Sequence, residues 1–250
     1  MKQITSVLDK LVVPLLVLGG ILVVLAFILN FTVAPIVYSD AMLSVPILIG
    51  DKTVTNYLLF SQKIFYFHMP VALVSMAALV FTALYGILFL RTRDSKYDMR
   101  ARTATEISLV FVLMTMATGL AWTRHDWGVW WSWEPRLTTY FILMLMVIGY
   151  FILRTAVADP ERRATYCAVF GIIIAINVPI CMMITRIIPS THPVLQRGDS
   201  GLSPTMLLPL LLALVGFCCL GFGLYRWRLH IRQMEDTLET LKLRLDDLEG

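Results

Sequence analysis

Six stretches of this chain contain no Asp, Glu, Lys or Arg: residues 11–39, 64–90, 107–123, 137–153, 164–185 and 200–225. An α-helix needs about 17 to 25 apolar residues to cross a hydrocarbon core, and in lipid only helices and closed barrels satisfy all their backbone groups. The expected fold is therefore all-α: a polytopic membrane protein with six transmembrane helices. With 58% of 250 residues hydrophobic, 15% charged and a mean hydropathy of +0.76, the composition lies well outside that of a soluble domain. The third and fourth stretches are short, which predicts that the segment between them is a loop embedded in the membrane surface. The first is too long for a signal-peptide core and Thr32-Val33-Ala34 makes a poor cleavage site, so it counts as a transmembrane helix.

Basic residues set the orientation. Fifteen of the 21 lie in the two termini and two of the connecting segments: Lys2, Lys10, Arg91, Arg93, Lys96, Arg100, Arg102, Arg154, Arg162, Arg163, Arg226, Arg228, Arg232, Lys242 and Arg244. The other six are Lys52, Lys63, Arg124, Arg136, Arg186 and Arg197. By the positive-inside rule both termini are cytoplasmic, and the loops near 40–63, 124–136 and 186–199 face outward. The net charge of +4 reflects this topology and is no argument for nucleic acid as a partner. The four cysteines lie inside predicted helices without a C-x-x-C pair, which argues against thiol redox chemistry and zinc.

Composition shifts once, after Tyr225, where the chain becomes strongly charged. This suggests a membrane domain over 1–227 and a short cytoplasmic helix over 228–250. In the tail, Ile231, Met234, Leu238, Leu241, Leu245 and Leu248 follow the 3, 4 spacing of a coiled-coil seam. Docking on the membrane domain, a partner helix and self-association are all open.

Five of the six tryptophans, Trp122, Trp127, Trp130, Trp131 and Trp133, fall within twelve residues of the outward loop over 122–138. Anchoring a helix end takes one or two indoles. A wall of five suits a flat, apolar ligand. Three of the four histidines share this side: His68 at the outer end of the second helix, His125 in the loop, and His192 beyond the fifth helix. Two imidazoles from separate helix ends, flanking an aromatic platform, are what bis-histidine ligation of haem iron requires. His68 and His192 are the candidate axial ligands and His125 the reserve. Arg136 and Arg124 are candidates for the two propionates, since a guanidinium grips a carboxylate bidentately. Glu134 and Gly128 are read as orienting the loop. Histidines at the rim, not at membrane depth, favour a haem that is passed on. Two alternatives stand: a permease subunit of an ABC-type exporter of haem or another amphiphile, and an electron carrier that retains its haem.

The chain resembles the cytochrome c maturation protein C (CcmC) family, haem-handling membrane proteins with a tryptophan-rich WWD loop. The resemblance rests on Tyr66-Phe67-His68-Met69-Pro70, Thr118-Gly119-Leu120-Ala121-Trp122, the run from Trp127 to Thr138, Asn177-Val178-Pro179 and Thr191-His192-Pro193. It implies a bacterial inner-membrane protein that binds haem b transiently at its outer face, through His68 and His192, and is not an enzyme. It also implies as partners a CcmE-like haem chaperone, CcmA- and CcmB-like ABC transporter subunits and a small CcmD-like helix, besides the lipid bilayer. The chain departs from the family pattern in Glu134, where the motif has Asp, and in its heptad tail.

Overall fold

The computed structural model describes residues 10–49, 52–59, 62–188 and 203–249. Among the described residues six helices are long and apolar enough to span a membrane: α1 (Val12–Thr32), α2 (Gln62–Thr92), α3 (Ser95–Asp126), α4 (Pro135–Ala156), α5 (Pro160–Ile187) and α6 (Pro204–Glu249). The protein is a multi-pass membrane protein with the expected helical architecture. One element was not expected. An antiparallel hairpin, β1 (Val37–Ile49) with β2 (Lys52–Leu59), connects α1 to α2.

Charge-free sequence continues to residue 39, but α1 stops at Thr32. Pro35 explains this, because it has no N–H to donate and drives the residue before it out of the helical region. The base of the hairpin is then closed by a buried lysine. Lys63 Nζ donates to the carbonyls of Asn30 and Ala34, each at 2.6 Å, and Asn30 Nδ2 returns a bond to Lys63 O at 2.9 Å. The cation meets the negative end of the α1 dipole, and the two helices are tied where the hairpin leaves them.

At the other end, α3 begins at Ser95, well before its apolar run. The Asp94 carboxylate caps it by accepting from Lys96 N–H at 3.0 Å. Its charged first half stays helical because its carboxylates are paired: Asp98 with Arg154 of α4 at 2.9 Å, and Glu106 with Arg228 and Arg232 of α6 at 3.1 and 2.6 Å. The expectation that the third helix is short is corrected by this extension.

The central pair is α2 with α3; α1 lies along α6 and α4 along α5, while α2 also touches α5 and α6. Two cores flank this pair. Leu79, Val112, Leu143 and Ile174 fill the one between α2, α3, α4 and α5; Ala26, Val71, Phe111 and Phe217 fill the one between α1, α2, α3 and α6. Buried hydroxyls cross-link the helices, Ser75 with Tyr140 at 2.7 Å and Thr82 with Thr105 at 3.1 Å. Such bonds matter in lipid, where apolar surface gives helices no preference for each other over the tails.

The sixth helix runs unbroken for 46 residues, about 69 Å at 1.5 Å per residue. The expected domain boundary at 227 and 228 therefore falls inside one continuous helix.

Candidate functional site

His68 lies near the start of α2, and three residues of α3 meet its ring. The imidazole Nδ1 is 2.8 Å from Thr118 Oγ1, and the ring meets Trp122 edge to face, centroids 6.1 Å apart at 84°. Thr118 and Trp122 are four residues apart, hence on one face of α3. Between them, Gly119 lets the histidine approach: a Cβ there would stand 3.3 Å from His68 Cε1.

The hydroxyl also assigns the tautomer. Thr118 Oγ1 is 2.9 Å from Met114 O and 3.1 Å from Thr115 O, so its single proton is held by its own helix. The oxygen is then left to accept, and His68 Nδ1 is the donor. With the proton on Nδ1 the lone pair sits on Nε2, the arrangement in which a second-shell bond orients a metal-binding imidazole.

Beyond Trp122 the chain turns sharply. Trp127 N–H bonds Thr123 O at 2.9 Å to end the helix, and Gly128 takes a left-handed φ of +72°, which glycine adopts without strain. Arg124 donates to Gly128 O, Asp126 accepts from Trp122 Nε1, and the exposed His125 lies 3.2 Å from Asp126. Thr123 Oγ1 reaches Trp130 O at 3.1 Å and fastens the loop to α3.

The loop sorts its indoles. Trp130 and Trp133 are 63% and 76% exposed, and Trp122 and Trp127 are partly exposed. Trp131 turns inward, perpendicular to Trp133 at 5.3 Å and packed on Phe141 of α4 at 5.1 Å. Trp131 is thus the keel of the loop, and Trp130 and Trp133 are its open faces. Glu134 is buried and caps α4, accepting from Leu137 N–H at 2.9 Å, with Pro135 in the first turn. Arg136 donates to Met182 O of α5 at 3.2 Å, and Asn177 Nδ2 bonds Thr139 O at 3.3 Å. These bonds fix the start of α4 against α5.

The structure thus brings His68 onto Trp122, and gathers Trp131, Trp133, Glu134 and Arg136 at the start of α4. Thr123 links the loop between the two groups. His192 lies outside the described residues. Sequence reasoning gave no role to Thr118, Gly119, Thr123, Asp126 or Phe141. The first two stand in the Thr-Gly-Leu-Ala-Trp segment, and the four-residue spacing of Thr118 and Trp122 was the available signal.

The family model described as heme exporter protein C, CcmC, matches residues 54–244. A heme exporter protein C of Bradyrhizobium diazoefficiens is 33% identical over 190 residues, covering 75% of this chain and 70% of that protein. That of Rhodobacter capsulatus is 32% identical over 111 residues, 44% of this chain and 46% of the relative. That of Escherichia coli is 26% identical over 170 residues, 68% and 69% of the two chains.

Proposed function

Because this chain belongs to the CcmC family, the heme exporter protein C family, we propose that it holds haem at the outer face of the bacterial inner membrane and hands it to a haem chaperone for cytochrome c maturation. Haem b is the cargo. His68 and His192 take the iron, Trp130 and Trp133 lie against the porphyrin, and Trp122 flanks the His68 ring. Arg136 and Arg124 meet the propionates; each already holds one backbone carbonyl, and a guanidinium has five N–H groups to share. No bond of the haem need be broken, so the role is delivery and not catalysis. The partners are a CcmE-like chaperone, CcmA- and CcmB-like transporter subunits and a CcmD-like helix.

The observation that carries this reading is the bond from His68 Nδ1 to Thr118. It prepares Nε2 as an iron ligand beside Trp122, on the helix that leads into the loop carrying the exposed Trp130 and Trp133. Shallow placement of the site suits transfer: a ligand held at a helix start can leave without crossing a packed core.

A transfer assay tests it. Haem-loaded protein in nanodiscs is mixed with the soluble domain of a CcmE-like chaperone, and the haem spectrum is followed. Movement of haem to the chaperone, lost in His68→Ala, is the expected result. Haem that stays on this chain and cycles with a quinone, or that crosses the bilayer of proteoliposomes carrying this chain, would replace delivery with electron transfer or permeation.

A further inference from the structure

The far end of α6 stands apart from the rest of the molecule. Among the described residues its last tie is the Glu106 carboxylate, held by Arg228 and by the buried Arg232; from Gln233 to Asp247 every residue is exposed. Within this stretch Met234, Leu238, Leu241 and Leu245 are 47%, 57%, 50% and 58% exposed. At 100° per residue they lie roughly 180° to 240° around the helix from Arg232. The apolar stripe therefore points away from the protein's own domain.

We infer that this stripe pairs with the same stripe of a second copy of the chain, as a parallel coiled coil on the tail side of the membrane. Three observations choose this occupant. First, two copies in one bilayer send their tails out of the same face, so the helices are bound to run parallel. The direction of the stripe then puts the two membrane domains on opposite sides of the seam, as a two-fold axis along the membrane normal requires.

Second, the flanking charges match in that arrangement. With Ile231, Leu238 and Leu245 at a and Met234, Leu241 and Leu248 at d, the g residue of one helix faces the e residue of the next heptad on the other. The pairs are His230 with Glu235, Thr237 with Lys242, and Arg244 with Glu249. None sets like charges together, and Arg244 with Glu249 is an ion pair of the kind that selects coiled-coil partners.

Third, the stretch 233–249 has six acidic residues and two basic ones. An anionic cytoplasmic leaflet repels it, so the stripe is not a lipid anchor. The seam is short, about two and a half heptads, but it grows from a transmembrane helix. Nucleation, the costly step for a free helix, is already done, and confinement to the membrane raises the effective concentration of the partner.

The test uses two differently tagged full-length copies expressed together in membranes. Oxidation should join the tags through Leu241→Cys at d and at least tenfold less through Asp236→Cys at f, both retaining the four native thiols. Leu238→Glu with Leu241→Glu should cut co-purification of the tags at least tenfold while leaving the haem spectrum unchanged, which excludes misfolding. Arg244→Glu should weaken pairing, and adding Glu249→Arg should restore it. Equal cross-linking at both positions, co-purification that ignores the double Glu variant, or a tail joined only to a different protein would each overturn the inference.

Discussion

The Nδ1 of His68 lies 2.8 Å from the Thr118 hydroxyl on the neighbouring helix, and that hydroxyl gives its own proton to the carbonyls of Met114 and Thr115. The direction of one hydrogen bond thereby fixes which ring nitrogen presents its lone pair. Thr118→Val keeps the shape and removes the acceptor. Haem affinity should fall about 10- to 100-fold, the usual cost of losing a second-shell partner. Thr118→Ser should restore it, and titration of the purified protein with haem measures both.

Gly119 permits that approach. Gly119→Ala would place a methyl 3.3 Å from His68 Cε1 and shift the ring by a few tenths of an ångström against Thr118. Weaker haem binding with unchanged thermal stability is expected, and Gly119→Leu should abolish binding. Normal haem titration for both variants would show that His68 is not held by this packing.

The tryptophans should separate by experiment as they do by exposure. Trp130→Ala removes an exposed ring, so haem retention should weaken and melting temperature should not change; Trp133→Ala should weaken retention too, with a small stability loss from its one contact with Trp131. Trp131→Ala strips the loop of its contacts with Trp133 and Phe141 and should cost roughly 2–3 kcal/mol, somewhat below a fully buried indole. Thermal unfolding in detergent, followed beside haem titration, distinguishes the two classes.

Glu134 acts through its cap. Glu134→Ala leaves Leu137 N–H without its carboxylate and should lower stability by about 1 kcal/mol, with Glu134→Asp largely rescuing it. His230, at the opposite end of the molecule on α6, should be indifferent: His230→Ala leaves the haem spectrum unaltered.

Much of this was legible in the primary structure. Charge-free runs mark helices because an unpaired charge in hydrocarbon is costly, and each of the six runs contains the apolar part of one helix. The same signal misjudges what lies at the rim. Asp98, Glu106 and Arg154 break the runs, yet they sit in continuous helix because they pair across α3, α4 and α6, which no local pattern reveals. Residues 37–39 extend the first run and belong to a strand. The tryptophan loop stood out by composition, but composition cannot separate the inward Trp131 from the exposed Trp130 and Trp133; the neighbour that decides it, Phe141, belongs to the next helix. Thr118 was hidden for a similar reason, its partner His68 being 50 positions away.

The most direct measurement is an absorption spectrum of the detergent-purified protein, oxidised and dithionite-reduced, beside the His68→Ala, His192→Ala double variant. A low-spin Soret with resolved α and β bands in the wild type, lost in the double variant while the protein still inserts, is the expected result. The same spectrum in both proteins, or a wild type that takes up no haem when haem is supplied, would contradict haem binding by this pair of histidines.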